Sequence, residues 1–143
     1  MTFVLGYDDS APAQAALDAA IDLAARYHEP LVVVFGVAPP GREGEEFRAL
    51  EDAIADLGRE VTQVALERAA QAGVEARVEL VAERPASALI DVADAVDARM
   101  IVVGTHGEGS LRASIMGSTT YRLLHLARRP VVVVPASRSD DVG

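Results

Sequence analysis

The residues best suited to chemistry are glycines and hydroxyl side chains gathered between positions 100 and 135. They are Gly104, Gly107, Gly109, Gly117, Ser118, Thr119 and Thr120. Glycine lets main-chain N–H groups approach an anion without a Cβ in the way, and the first turn of a helix adds unpaired donors and a partial positive charge. The stretch follows the order strand, glycine-rich loop, helix start and strand, which predicts a phosphate-binding loop.

The helix start is marked by Gly117 and the hydroxyl residues that follow it. We predict Ser118 as the N-cap, whose side-chain oxygen would accept a hydrogen bond from a backbone N–H of the first turn. Thr119 and Thr120 would then lie near the phosphates, although both are also ordinary first-turn residues.

The loop between residues 104 and 117 is longer than a connection needs, and long loops in compact domains are usually functional. His106 stands beside Gly107, where a phosphate donor and a solvated histidine are equally compatible with the sequence. Arg112 could neutralise a phosphate or stay on the surface. Gly104, taken alone, could simply be the turn that ends a strand.

The spacing Gly104-x2-Gly107-x9-Gly117-Ser118 resembles the ATP-binding signature of the nucleotide-binding branch of the universal stress proteins. In that branch the glycines and the following hydroxyl residues surround the triphosphate and ribose. The segment Val4–Ser10, VLGYDDS, is similar to the family's first strand and its Asp-x-Ser turn. The resemblance covers nearly the whole chain and implies an ATP-binding regulator or sensor of the stress response.

Further site residues follow from the resemblance. It implies that Tyr7 and Asp8 contact the nucleotide, while Asp8 could instead cap the first helix. It also makes Gly36 and Val37 candidates for an adenine wall, with plain strand packing as the alternative. The family often has glycine where this chain has Asp9, and two carboxylates beside a triphosphate would repel it. We therefore expect Mg²⁺ with the nucleotide, held mostly by phosphates and water.

Composition excludes several kinds of function. A net charge of −9 argues against nucleic acid or an anionic membrane as a partner, because both require clustered positive charge. The chain has no lysine, which a Walker-type phosphate loop needs, and no cysteine for thiol chemistry or thiolate metal sites. Three scattered histidines do not suggest a zinc site. No signal-like or membrane-spanning run is evident, so we expect a soluble, cytoplasmic protein.

Hydrophobic periodicity predicts alternating strands and helices. The expected order is strand 2–7, helix 12–27, strand 31–35, helix 45–72, strand 74–82, helix 86–96, strand 100–103, a helix after residue 118 and strand 131–134. Ser10 is the expected N-cap of the first helix, and Gly73 should end the second in a left-handed conformation. We predict one domain over residues 1–137 and a flexible tail over 138–143.

This order predicts an open five-stranded parallel sheet with helices on both faces. The family resemblance implies the strand order 3-2-1-4-5, the adenine nucleotide alpha hydrolase-like arrangement. Ligands of such sheets bind beyond the carboxyl ends of the strands, where the order reverses. Asp8 follows the first strand and Gly104 ends the fourth, so we expect both to border one crevice.

The last strand, Val131–Val134, would then lie at a sheet edge with no charged residue to discourage pairing. We predict a homodimer through this edge, unless residues 137–143 cover it. For catalysis the sequence offers little, so an enzyme would be at most a slow ATPase. A nucleotide-free stress protein that works only through an unknown protein partner is the other alternative.

Overall fold

A computed structural model describes residues 1–8, 10–36, 45–81, 83–105 and 117–136. Five strands and four helices alternate in these ranges. They are β1 (Thr2–Gly6), α1 (Ala11–Tyr27), β2 (Leu31–Gly36), α2 (Glu45–Gln71), β3 (Ala76–Val81), α3 (Pro85–Ala95), β4 (Ala98–Gly104), α4 (Ser118–Leu126) and β5 (Val131–Val134). The predicted alternation is confirmed.

All five strands are parallel, and their order is β3-β2-β1-β4-β5, as expected. The order reverses between the central strand β1 and its neighbour β4. Gly6 is in register with Val34, and Gly104 with Val134. The carboxyl ends of four neighbouring strands therefore lie side by side, and the switch point is among them, between β1 and β4.

Helices cover both faces of the sheet, because successive strand residues point to opposite sides. Phe3 and Leu5 of β1 belong to the cluster that α1 and α2 cover, whereas Val4 belongs to the cluster that α3 and α4 cover. All three side chains are fully buried. The continuous apolar runs of the strands thus reflect burial on both faces, as parallel sheets require.

Several element boundaries differ by one or two residues from those predicted. β4 begins at Ala98 rather than Met100, because Ala98 already pairs with Thr2 of β1. β3 is shorter than predicted and lies at an edge of the sheet, as its alternating pattern indicated. Gly73 has φ +74°, so its left-handed conformation after α2 is confirmed.

At the amino ends of the strands, an ion pair joins the segment before β2 to the start of β4. Arg99 donates two hydrogen bonds to the Glu29 carboxylate, at 2.8 and 2.6 Å, and its guanidinium lies 4.6 Å from the ring centroid of Tyr27. Hydrogen bonding to Arg99 lowers the pKa of Glu29 below its usual value. This contact lies far from the carboxyl ends of the strands.

No helix in the described ranges is long and apolar enough to span a membrane.

Candidate functional site

A cavity of about 180 Å³ opens at the carboxyl ends of β1 and β4, at the switch point of the sheet. Its described lining residues are Gly6, Tyr7, Asp8, Ala13, Val34, Pro85, Leu89, Val103, Gly104, Gly117, Ser118, Thr119 and Thr120. Seven of these are residues that the sequence nominated. The loop after β1 and the start of α4 therefore do border one crevice, as the fold prediction required.

The start of α1 is capped by side chains of its own chain. Ser10 has an extended backbone, and its hydroxyl accepts a hydrogen bond from the backbone N–H of Ala13 at 3.3 Å, which confirms the predicted N-cap. Asp8 in turn accepts from the backbone N–H of Ser10 at 3.0 Å and from its hydroxyl at 2.6 Å. The Asp8 carboxylate thus lies at the positive end of α1, where a helix dipole favours an anion.

The start of α4 is built differently, and here the N-cap prediction is wrong. Gly117 is the N-cap, with φ −66° and ψ 155°, and Ser118 is the first helical residue. The reason is that Gly117 is fixed at both of its backbone groups: its N–H donates to the carbonyl of Thr105 at 2.8 Å, and its carbonyl accepts from Tyr121 at 3.0 Å. Glycine has no side chain, and no side-chain hydrogen bond caps the start of α4 within the described ranges.

Thr120 joins the start of α4 to the end of β4. Its hydroxyl is buried, with the residue 2% exposed, and donates to the carbonyl of Gly104 at 2.7 Å. Gly104 also lies against α1, because a Cβ built at this position would be 2.7 Å from the Cβ of Pro12 and 2.8 Å from its carbonyl carbon. Glycine is therefore required at this point by packing between β4 and α1, whether or not a ligand is bound.

Tyr7 connects the cavity to α1 and α2 through hydrogen bonds. Its phenol oxygen accepts from the side-chain amide of Gln14 at 2.7 Å, and the Gln14 carbonyl oxygen accepts from Arg68 of α2 at 3.0 Å. Arg68 also pairs with Asp18. Because Arg68 can only donate, it fixes the Gln14 amide so that its NH₂ group faces Tyr7.

Six lining residues were not predicted from the sequence, and most of them are apolar. Pro85 and Leu89 come from α3, and Val34 comes from β2. A Cβ at Gly6 would lie 2.9 Å from Leu89 and 3.1 Å from Val103, so the glycine lets α3 approach β1 closely. A glycine in the last position of a central strand was the available signal for this approach.

Gly36 is not part of the cavity lining. It ends β2 beneath the start of α3, where a Cβ would be 3.0 Å from the Cβ of Ala88 and 3.2 Å from the carbonyl oxygen of Glu83. The other nominated residues lie outside the described ranges: Val37, His106, Gly107, Gly109 and Arg112.

The charges near the cavity are few in the described part of the chain. Asp8 is the one charged residue among the described lining residues. Beside the α3 wall, burial raises the pKa of Glu83, and the neighbouring Asp91 carboxylate raises it further. No group of three or more His, Cys, Asp or Glu suited to a metal ion occurs within the described ranges.

The fold and the cleft define an open α/β protein of the adenine nucleotide alpha hydrolase-like type. Within this class, the chain belongs to the universal stress protein family, whose model matches residues 1–135. The universal stress protein Rv2028c of Mycobacterium tuberculosis is 33% identical over 139 residues, an alignment that covers 96% of this chain and 49% of that protein. This chain therefore spans about half the length of the curated relative.

Solved structures of the family agree with this assignment. A family member from Burkholderia pseudomallei is 36% identical with a TM-score of 0.76, and the match covers 94% of this chain and 96% of that one. A universal stress protein in complex with cAMP is 26% identical with a TM-score of 0.72, over 96% and 98% of the two chains. The universal stress protein of Archaeoglobus fulgidus in complex with dAMP is 26% identical with a TM-score of 0.68, over 94% and 97%. Two of these relatives thus bind adenine nucleotides.

Proposed function

We propose that this chain binds ATP, or another adenine nucleotide, in the cleft between β1 and β4. In this proposal it belongs to the nucleotide-binding branch of the family and regulates a stress response through contacts with a protein partner that depend on the ligand. The observation that carries the proposal is that the start of α4 is open to the cavity. Its first three residues line the cavity, and no side chain caps them in the described ranges.

The phosphates would bind at α4 and not at α1. The first N–H groups of a helix have no acceptor within the helix, and they attract anions. At the start of α1, backbone N–H groups already donate to side chains: that of Ala13 to Ser10, and that of Ser10 to Asp8. At α4 the backbone N–H groups of Ser118 and Thr119 lie where a phosphate could accept from them, and the hydroxyl of Ser118 adds a further donor.

The base would lie against the apolar side of the cavity, which Val34, Pro85 and Leu89 supply. An adenine ring buries mostly apolar surface, and a few polar groups then fix its orientation. Tyr7 and Asp8 are the polar groups that we propose for contact with the base or the ribose. Gly36, on which α3 packs directly, and Val37, which lies outside the described ranges, would extend this wall at the end of β2.

The loop that follows β4 completes the proposed site from outside the described ranges. We propose that the backbone of Gly107 and Gly109 donates to the phosphates and that His106 and Arg112 add positive or donor groups. Mg²⁺ would accompany a triphosphate, held mostly by phosphate oxygens and water, since Asp8 is the one carboxylate among the described lining residues.

The edges of the sheet support the proposed homodimer. β3 carries Arg77 and Glu79, which pair with each other and place charge along that edge. β5 at the other edge consists of four valines and is only partly buried. An antiparallel pairing of two Val131–Val134 strands across a two-fold axis would cover these valines and satisfy the unpaired backbone groups. We also propose a cytoplasmic location and a single domain over residues 1–137.

Calorimetric titration with ATP, with and without Mg²⁺, tests the nucleotide site. The native protein should bind, a Gly117→Val variant should lose binding, and an Ala11→Val variant should keep it. The control adds the same side chain at the start of α1, where Ala11 is exposed and does not line the cavity.

Absence of binding by the native protein, once mass spectrometry has excluded retained nucleotide, would favour the nucleotide-free alternative. Phosphate release over hours in the binding-competent protein, abolished in Gly117→Val, would instead identify a slow ATPase.

A further inference from the structure

Charge is distributed very unevenly along the sequence. Residues 109–139 contain five arginines and no aspartate or glutamate, although the whole chain carries a net charge of −9. All twenty-two acidic residues therefore lie elsewhere. Arg112 and Arg138 lie outside the described residues, whereas Arg122, Arg128 and Arg129 flank or belong to α4.

Two of these three arginines have no ion-pair partner within the described ranges. Arg129 is neutralised, because it donates to Asp94 at 3.3 Å and to Asp97 at 3.0 Å. Arg122 and Arg128 are exposed and take part in no such pair. They remain as positive charges on the surface of an acidic protein.

Helix α4 also exposes large apolar and aromatic side chains. Tyr121 is 59% exposed, Leu124 50% and Leu126 59%. The rings of Tyr121 and His125, one helical turn apart, have their centroids 4.5 Å from each other. Tyrosine and arginine are the residue types that most often dominate binding energy in protein interfaces. We call four exposed residues of α4, Tyr121, Arg122, Leu124 and His125, together with the exposed Arg128 just after the helix, the α4 patch.

We propose that the α4 patch is a docking surface for an acidic protein segment that also carries apolar side chains. Its positive charge favours a negatively charged partner, and apolar groups of that partner would bury the exposed side chains of Tyr121 and Leu124. The proposal does not depend on a nucleotide in the cleft.

Other occupants fit the patch less well. A second copy across a two-fold axis on this face would set the same patch against itself. Both patches would carry Arg122 and Arg128 and no carboxylate, and like charges oppose such a contact. Nucleic acid and anionic membranes need several clustered cations, and the field of the remaining acidic surface would repel both.

The experiment uses the full chain labelled with ¹⁵N and a synthetic peptide of about 15 residues in which Asp or Glu alternates with Leu or Phe, a length suited to one exposed helix face. The expected result is saturable binding with chemical-shift changes centred on residues 121–128. Raising the salt from about 0.1 M to 1 M shortens the screening length from about 10 to 3 Å, so the affinity should fall clearly. A peptide with Asn and Gln in place of the acids should bind far more weakly.

Variants separate the patch from general charge effects. Arg122→Gln should weaken peptide binding about 2- to 5-fold, the usual size of one exposed charge pair. Tyr121→Ala should weaken it about tenfold or more, as for an interface anchor. Arg48→Gln removes an equal charge from the exposed surface of α2 and should leave binding unchanged.

Four results would overturn the proposal. The first is equal loss in Arg122→Gln and Arg48→Gln, and the second is shift changes centred elsewhere on the protein. The third is no peptide binding together with binding to phosphatidylglycerol vesicles or to a single-stranded oligonucleotide. The fourth is a change in sedimentation of Tyr121→Ala without any effect on the peptide, which would make the patch a contact between copies.

Discussion

Replacing Ser118 with proline removes one backbone N–H from the start of α4 and leaves the helix in place. Ser118 is the first residue of the helix, a position where proline has a suitable φ and where its missing N–H breaks no helical hydrogen bond. The preceding residue, Gly117, has ψ 155°, which is the extended conformation that a residue before proline prefers. The change therefore tests the proposed phosphate donor and not the fold.

The expected magnitude follows from the loss of one charge-assisted hydrogen bond. Such a bond contributes about 1.5–3 kcal/mol, which corresponds to roughly 10- to 100-fold weaker ATP binding. The free energy of unfolding should change by no more than about 0.5 kcal/mol, because Ser118 is exposed and its N–H has no partner inside the helix. A Ser118→Ala variant removes only the hydroxyl and should have a smaller effect.

The assay is calorimetric titration with ATP and Mg²⁺, combined with urea unfolding of each variant. The matched control is Ala11→Pro, which makes the same change at the first residue of α1, where Asp8 and Ser10 already cap the helix. Ala11→Pro should bind ATP as the native chain does. Equal losses in the two variants, or native affinity in Ser118→Pro, would refute the assignment of the phosphates to α4.

Three further predictions concern stability and are measured by urea unfolding. Gly104→Ala should destabilise the fold by about 1–3 kcal/mol even without ligand, because its Cβ would overlap Pro12; an unchanged midpoint would mean that the packing relaxes freely. Thr120→Val should cost about 1–3 kcal/mol, because it removes the buried hydrogen bond that the Gly104 carbonyl accepts from the Thr120 hydroxyl, whereas Thr120→Ser should retain most of the stability. Equal costs in both variants would exclude this hydrogen bond as the cause. Arg99→Gln should lower the free energy of unfolding at pH 7, because it removes the ion pair with Glu29. The difference in free energy between the native chain and the variant should shrink as the pH falls through the lowered pKa of Glu29, since the ion pair contributes only while Glu29 is ionised; a difference that stays constant down to pH 3 would contradict this linkage.

The sequence predicted the sheet well because its signals are local. Short apolar runs rich in valine and isoleucine and bounded by turn residues, such as that of β4, indicate strands covered on both faces. The longer amphipathic patterns between them indicate the helices that cover the sheet. The strand order came from the family resemblance, since nothing in the spacing of the elements determines which strands are neighbours. The pairing of β1 with β4 confirms that order.

Two serines show what local reasoning could not decide. Ser10 and Ser118 both precede a helical pattern, and both were predicted to be N-caps. Ser10 is one, with support from Asp8, whereas α4 starts one residue earlier than predicted. The difference arises because the Thr105 carbonyl holds Gly117 in an extended conformation, and this contact spans twelve residues of chain.

The apolar wall of the cavity was missed for a similar reason. Leu89 of α3 reaches the cleft only because Gly6 of β1 leaves room for it, and these two residues are more than eighty positions apart. Sequence periodicity identifies Leu89 as a buried residue but does not reveal that its side chain forms part of the cavity wall. Packing between distant elements has no local signature, so such residues become visible only in the folded chain.

Helix α4 would connect the two proposed binding surfaces. Its first residues line the cleft, its buried Thr120 and Leu123 hold it on the sheet, and its outer face presents Tyr121 and Arg122. α4 has only nine residues, so a bound phosphate that displaced the start of the helix would also displace its exposed residues. Linkage makes any such effect reciprocal. A partner that binds the α4 patch more tightly when nucleotide is present must therefore strengthen nucleotide binding by the same factor.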